Sequence, residues 1–145
     1  MAQRREEPAP RKEASVGVLV VDDQELFRRV LRDLVITTPG LELVGEAASG
    51  EAALEAVDAL SPQMVIMDKR MPGIGGIEAT HLITAREPDL VVLLVSVETL
   101  GPDLVLSSGA AAFVRKQKLC PRVLTELWQV HARRSAPPAS GSRET

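Results

Sequence analysis

The chain contains no tyrosine, one tryptophan and two phenylalanines. Its interior must therefore be filled by Val, Leu, Ile, Ala and Met. A single cysteine, Cys120, excludes an intrachain disulfide, which fits a reducing compartment. No run of about 18 apolar residues exists to span a bilayer as a helix. The opening residues lack the apolar stretch of a secretory signal, so the expected location is cytoplasmic. Basic charge is not in surplus: 17 Lys and Arg face 20 Asp and Glu, for a net charge of −3. Direct nucleic-acid binding carried by phosphate contacts is not expected of such a surface. The 145 residues, 45% hydrophobic and 26% charged, suit one globular domain.

Residues 1–15 (MAQRREEPAPRKEAS) mix both charge signs with Pro and Ala and read as a disordered arm. Residues 135–145 (SAPPASGSRET) read as a disordered tail or linker. Between them, from 16 to 134, short apolar runs alternate with stretches of helical periodicity. VGVLVV (16–21) is a strand buried on both faces. Leu26, Phe27, Val30, Leu31, Leu34 and Val35 then recur at helical spacing up to Pro39-Gly40. The remaining strands are expected over 41–47, 64–67, 90–95 and 111–114. The remaining helices are expected over 51–60, 77–87 and 121–134, with a short one in 99–108 that starts near Pro102. Strands alternating with helices imply βαβ units and a five-stranded, doubly wound parallel α/β sheet. Ligands of such folds sit beyond the carboxyl ends of the strands.

The polar residues fall at those ends. Strand one ends in Asp22-Asp23, strand three in Asp68, strand four in Ser96, and Lys116 follows strand five. Three carboxylates brought together repel one another unless a cation or a proton intervenes. A hard, oxygen-seeking ion such as Mg2+ suits them, because it takes few protein oxygens and favours phosphate. A lysine adds a point charge for phosphate, and a hydroxyl adds a hydrogen bond. These are the parts of phosphoryl transfer, in which catalysis is positioning and charge neutralisation, with Asp68 as the nucleophile.

The stretches VLVVDDQELFRRVLRDL, MVIMDKRMPGIGGIEAT, VVLLVSV and GAAAFVRKQKL together resemble the receiver domain of two-component response regulators, from about Val16 to Arg134. LVGEAASGEAALE and the MPGIGGIEAT loop resemble, within that family, regulators carrying a LuxR-type helix-turn-helix. The resemblance implies a flavodoxin-like (βα)5 receiver phosphorylated by a histidine kinase or phosphotransfer protein and acting through a protein partner or a homodimer. It implies Mg2+ held by Asp22, Asp23, Asp68 and the backbone carbonyl of Arg70. Asp68 is implied as phosphoacceptor, Ser96 and Lys116 as holders of phosphoryl oxygens, and Phe113 as an aromatic switch that follows Ser96.

Blander roles stand beside these. Asp22-Asp23 also suit a helix start, Phe113 and Trp128 suit packing, and Cys120 suits a structural thiol. His81 and His131 lack metal-ligand company. Val97 follows Ser96 where the family usually carries Ala or Gly, and the bulkier side chain predicts slower phosphotransfer or slower loss of phosphate. Gln117 follows the lysine where many receivers have Pro. The resembling regulators continue into a DNA-binding domain; this chain ends about ten residues after its last helix, so a stand-alone receiver and a separated one both fit. Two other functions compete. A phosphorylation-independent interaction module would leave the acidic set unexplained. An aspartyl-phosphate phosphatase of the haloacid dehalogenase type needs a second Asp where Arg70 stands.

Overall fold

The computed structural model describes residues 15–135, so the expected arm and tail lie outside the described residues but for Ser15 and Ser135. Five strands and five helices alternate: β1 (Val16–Val21), α1 (Glu25–Thr37), β2 (Leu41–Ala47), α2 (Gly50–Leu60), β3 (Met64–Asp68), α3 (Gly75–Arg86), β4 (Val91–Ser96), α4 (Pro102–Ser108), β5 (Ala112–Arg115) and α5 (Pro121–Ser135). A 3-10 turn, Lys116–Lys118, joins β5 to α5. The strands form one parallel sheet in the order β2-β1-β3-β4-β5, the flavodoxin-like order.

Side-chain alternation divides the core. Leu19, Val21, Val65, Met67, Val92 and Leu94 face the side covered by α2, α3 and part of α4. Val18, Val20, Met64, Ile66, Leu93 and Val95 face the side covered by α1 and α5. Every residue of β3 and β4 is buried, which is why those strands read as unbroken apolar runs. Each fully buried branched side chain contributes about 1.5–3 kcal/mol, so the central strands are the rigid base on which the polar strand ends stand. The edge strand β2 is only partly covered, which accounts for Glu42 and Glu46 within it.

The expected elements are all present, with ends displaced by one or two residues. β3 extends through Asp68 and β4 through Ser96, so both polar residues belong to the ladder rather than to the loops beyond it. β5 lies one residue later than expected, and α3 starts at Gly75 rather than at 77. The early start of α3 has a steric basis at Gly76. Its N–H donates to the Lys69 carbonyl at 2.9 Å, and a Cβ there would collide with the Asp68 carbonyl. Only glycine lets this helix begin so close to the end of β3.

Candidate functional site

β1 and β3 are neighbours, and Val21 pairs with Met67, so the residues that follow, Asp22 and Asp68, emerge side by side. This is the point where the chain from β1 leaves toward one strand neighbour and the sheet continues toward the other, the position at which doubly wound folds bind ligands. Ser96 closes β4, and Arg115 of β5 pairs with it, which brings Lys116 to the same edge.

Asp22 is fully buried and Asp68 is 4% exposed, while Asp23 is exposed. Successive residues leaving a strand point to opposite sides, so the acidic pair is split into one interior and one outer carboxylate. Oxygens of Asp22, Asp23 and Asp68 nonetheless lie within 4.8 Å of one another. Lys116 reaches into this cluster: its Nζ is 3.1 Å from Asp22 Oδ2 and 3.2 Å from Asp68 Oδ1. Burial pushes the Asp68 carboxyl above its ordinary pKa; the neighbouring Asp22 charge adds to this, Lys116 opposes it, and Asp23 raises it further. One ammonium thus only partly offsets three carboxylates. The cluster offers close, hard oxygen ligands and excess negative charge, which fits a divalent cation.

The surroundings fix these groups. Gln24 N–H donates to Asp22 Oδ1 at 2.8 Å, and Arg28 Nη1 donates to the Asp22 carbonyl at 2.8 Å. Arg28 and Arg32 both pair with Glu46 of β2, tying α1 to the sheet beside the site. Asp22 does not occupy the helix cap: Gln24 does, and without a side-chain capping bond. The Ser96 hydroxyl is buried and accepts the Glu98 N–H at 3.1 Å. Glu98 in turn pairs with Arg70 at 2.8 Å and Lys69 at 3.7 Å, joining the loops after β3 and β4.

The structure therefore brings Asp22, Asp23, Asp68 and Lys116 together, and sets Ser96 and Arg70 at neighbouring strand ends. Phe113 is apart from them. It lies on β5 opposite Leu94 and packs, half-buried, on the α2–α4 side of the core. Val97 is 60% exposed, and Gln117 Nε2 donates to its carbonyl at 3.5 Å. One participant was not singled out from sequence. The Phe27 ring lies under Lys116, with Nζ 4.1 Å from its centroid, a cation–π contact. Helical spacing marked Phe27 only as a core residue; a contact to a lysine 89 positions later has no local sequence signal.

The sequence profile described as "Response regulator receiver domain" matches residues 18–127. The response regulator GacA of Pseudomonas viridiflava is 42% identical over 103 residues, covering 70% of this chain and 48% of that protein. The chain thus spans about half the length of the curated relatives it matches. Among solved structures, the response regulator domain of Thermotoga maritima CheB superposes with a TM-score of 0.73 at 32% identity, covering 85% of this chain and 99% of that one. A LuxR-family two-component response regulator from Aurantimonas sp. SI85-9A1 gives 0.72 at 26% identity, covering 90% and 89%.

Proposed function

The chain belongs to the response regulator receiver family, and from that premise we propose that Asp68 accepts a phosphoryl group with Mg2+ held by Asp22, Asp23, Asp68 and the Arg70 carbonyl. Receiver domains take this group from a histidine kinase or a phosphotransfer protein. The observation that carries the assignment is the buried cluster of Asp22 and Asp68 under one ammonium, with Asp23 beside them. When bound, the metal ion supplies charge neutralisation and orients phosphoryl oxygens.

The remaining work falls to the chain's own groups. A carboxylate oxygen of Asp68 attacks phosphorus as the bond to the donor nitrogen breaks, and the donor imidazole keeps the electron pair. Lys116 stands 3.2 Å from that carboxylate and needs little movement to meet a phosphoryl oxygen. The Ser96 hydroxyl, now accepting from Glu98 N–H, turns to donate to another. A hydroxyl donates while it accepts, so the change is the added bond, which exists only in the phosphorylated state, as a population shift requires. Phe113, one strand over on β5, follows Ser96 as the aromatic switch. The domain then acts from the cytoplasm on a protein partner or by forming a homodimer, without touching nucleic acid itself.

Incubating the protein with Mg2+ and acetyl phosphate should add the mass of one phosphoryl group, and Asp68→Asn should remove the adduct completely. No adduct in the wild type would point to a receiver that signals without phosphorylation. Rapid turnover of phosphomonoesters would point to a phosphatase.

A further inference from the structure

The partners of the Lys116 ammonium differ in kind. Its Nζ lies 3.1 Å from Asp22 Oδ2, 3.2 Å from Asp68 Oδ1 and 4.1 Å from the centre of the Phe27 ring. The lysine side chain is 12% exposed, so little water is there to screen these contacts. Lysine carries a point charge on a flexible stem, and its aim depends on what surrounds its tip. Asp22 and Asp68 are also proposed metal ligands, and Asp68 is the proposed phosphoacceptor. Each contact they give the ammonium competes with the ion, and esterification of Asp68 removes its charge. The Phe27 ring neither ligates nor reacts. Of these partners it is the one whose hold on the ammonium the chemistry does not alter.

The helix fixes this ring. Phe27 lies in the first turn of α1, and Leu31, one turn on, is fully buried. Phe27 is therefore at the outer end of the face by which α1 rests on the sheet, and it packs, half-buried, on the cluster that holds Val18, Val20 and Leu31. An aliphatic side chain here would pack as well but would not attract a cation. A further carboxylate would add to the repulsion among Asp22, Asp23 and Asp68. The face of an aromatic ring attracts a cation within about 6 Å through its quadrupole, without net charge, and more strongly where water is excluded.

We propose that Phe27 is a positioning residue for phosphoryl transfer: its ring keeps the Lys116 ammonium aimed at the phosphoryl position while Asp22 and Asp68 turn to other partners. The role rests on the reading of Asp68 as phosphoacceptor.

Fluorination of the ring tests it, because fluorines drain the negative face of an aromatic ring while nearly keeping its shape. With mono-, di- and trifluorophenylalanine incorporated site-specifically at position 27, metal-free protein in chelator should unfold more easily at each step. The folding constant should fall roughly tenfold across the series. In a Lys116→Met background the same series should be flat, since no cation remains over the ring. With Mg2+ and acetyl phosphate, the rate of adduct formation should fall in parallel, again roughly tenfold. A ring that only fills space shows neither gradient. A flat stability series, or an equal slope with and without the lysine, overturns the proposal. So does graded stability with an unchanged phosphorylation rate, which confines the ring to holding the resting lysine. These results all leave the adduct on Asp68 in place. Absence of any adduct in the unmodified protein instead overturns the phosphoacceptor reading, and the role of Phe27 with it, even where the stability gradient is present.

Discussion

At the amino end of the sheet one neutral residue, Gln63, ties the strands through its backbone and its side chain, while at the carboxyl end neighbouring strands are joined through charge. Gln63 accepts from Gly17 with its amide oxygen, donates its own N–H to the Gly17 carbonyl, and accepts from Val91 with its backbone carbonyl. Three strands are thereby tied by neutral bonds at an exposed position. At the carboxyl end, Lys116 bridges Asp22 and Asp68, with side chains between 0% and 12% exposed. Neutral hydrogen bonds at a wet edge are modest and insensitive to pH. Buried charge is costly to assemble and very costly to unbalance. The contrast separates an end built for holding from an end built for changing.

Removing Lys116 should break that contrast most severely. Lys116→Met keeps much of the apolar stem on Phe27 but leaves two buried carboxylates without their counter-charge. In chelator, we expect urea unfolding to show a loss of about 3 kcal/mol, at the lower end for breaking a buried pair. Adding Asp22→Asn to that variant should recover most of it, since the repulsion is then removed. If the double variant is no more stable than the single one, packing rather than charge explains the loss.

The raised pKa of Asp68 makes the second prediction. In the folded protein its carboxyl holds a proton to higher pH than the ordinary value of 3.8 allows. The folded state therefore binds more protons than the unfolded chain in that window, and stability falls as pH rises. Asp68's contribution is fully present below 3.8 and is lost as pH climbs through the raised value. Unfolding midpoints of metal-free protein, taken from pH 4 upward, should decline more in the wild type than in Asp68→Asn. Parallel profiles would mean that Lys116 already neutralises the carboxylate.

Much of the carboxyl end was legible in the sequence, and the reason is physical. Strands buried on both faces must be apolar throughout, so Asp22, Asp68 and Ser96 mark their own strand ends. The alternation with helices then forces those ends to one edge. What was not legible depends on side-chain direction and long-range packing. The resemblance set Asp23 as the direct metal ligand and Asp22 as its assistant, but which of the two is buried was not legible; the strand geometry buries Asp22 and exposes Asp23. Phe27 under Lys116, the Gln63 stitch and the Glu98 pairs with Lys69 and Arg70 join residues far apart in the chain and leave no periodic signal. Strand ends moved by a residue because ladder pairing, not composition, decides where a strand stops.

Gln63→Ala should sharpen the comparison from the other side. Its side chain contributes one hydrogen bond at an exposed position, and its backbone bonds remain. The expected cost is about 1 kcal/mol, with no change across the pH window in which Asp68 titrates. A cost that varied with pH there would mean the two ends are electrostatically linked through the strands.

The smallest effect concerns the mouth of the charged end. Val97 follows Ser96 on the loop that Glu98 and Gln117 also fasten, one through Arg70 and the other through the Val97 carbonyl. Being 60% exposed, its side chain adds little to the core, and it follows directly on Ser96, the residue proposed to hold a phosphoryl oxygen. Val97→Ala removes two methyl groups from that position without unsatisfying any polar atom. The phosphoryl half-life should shorten by roughly threefold or less, a barrier change of about 0.7 kcal/mol, with unfolding stability unchanged. Gln63→Ala, measured alongside, should leave the half-life as it is, because it alters only the holding end. An unchanged half-life in Val97→Ala would move control of phosphoryl lifetime from this side chain to the charged groups behind it.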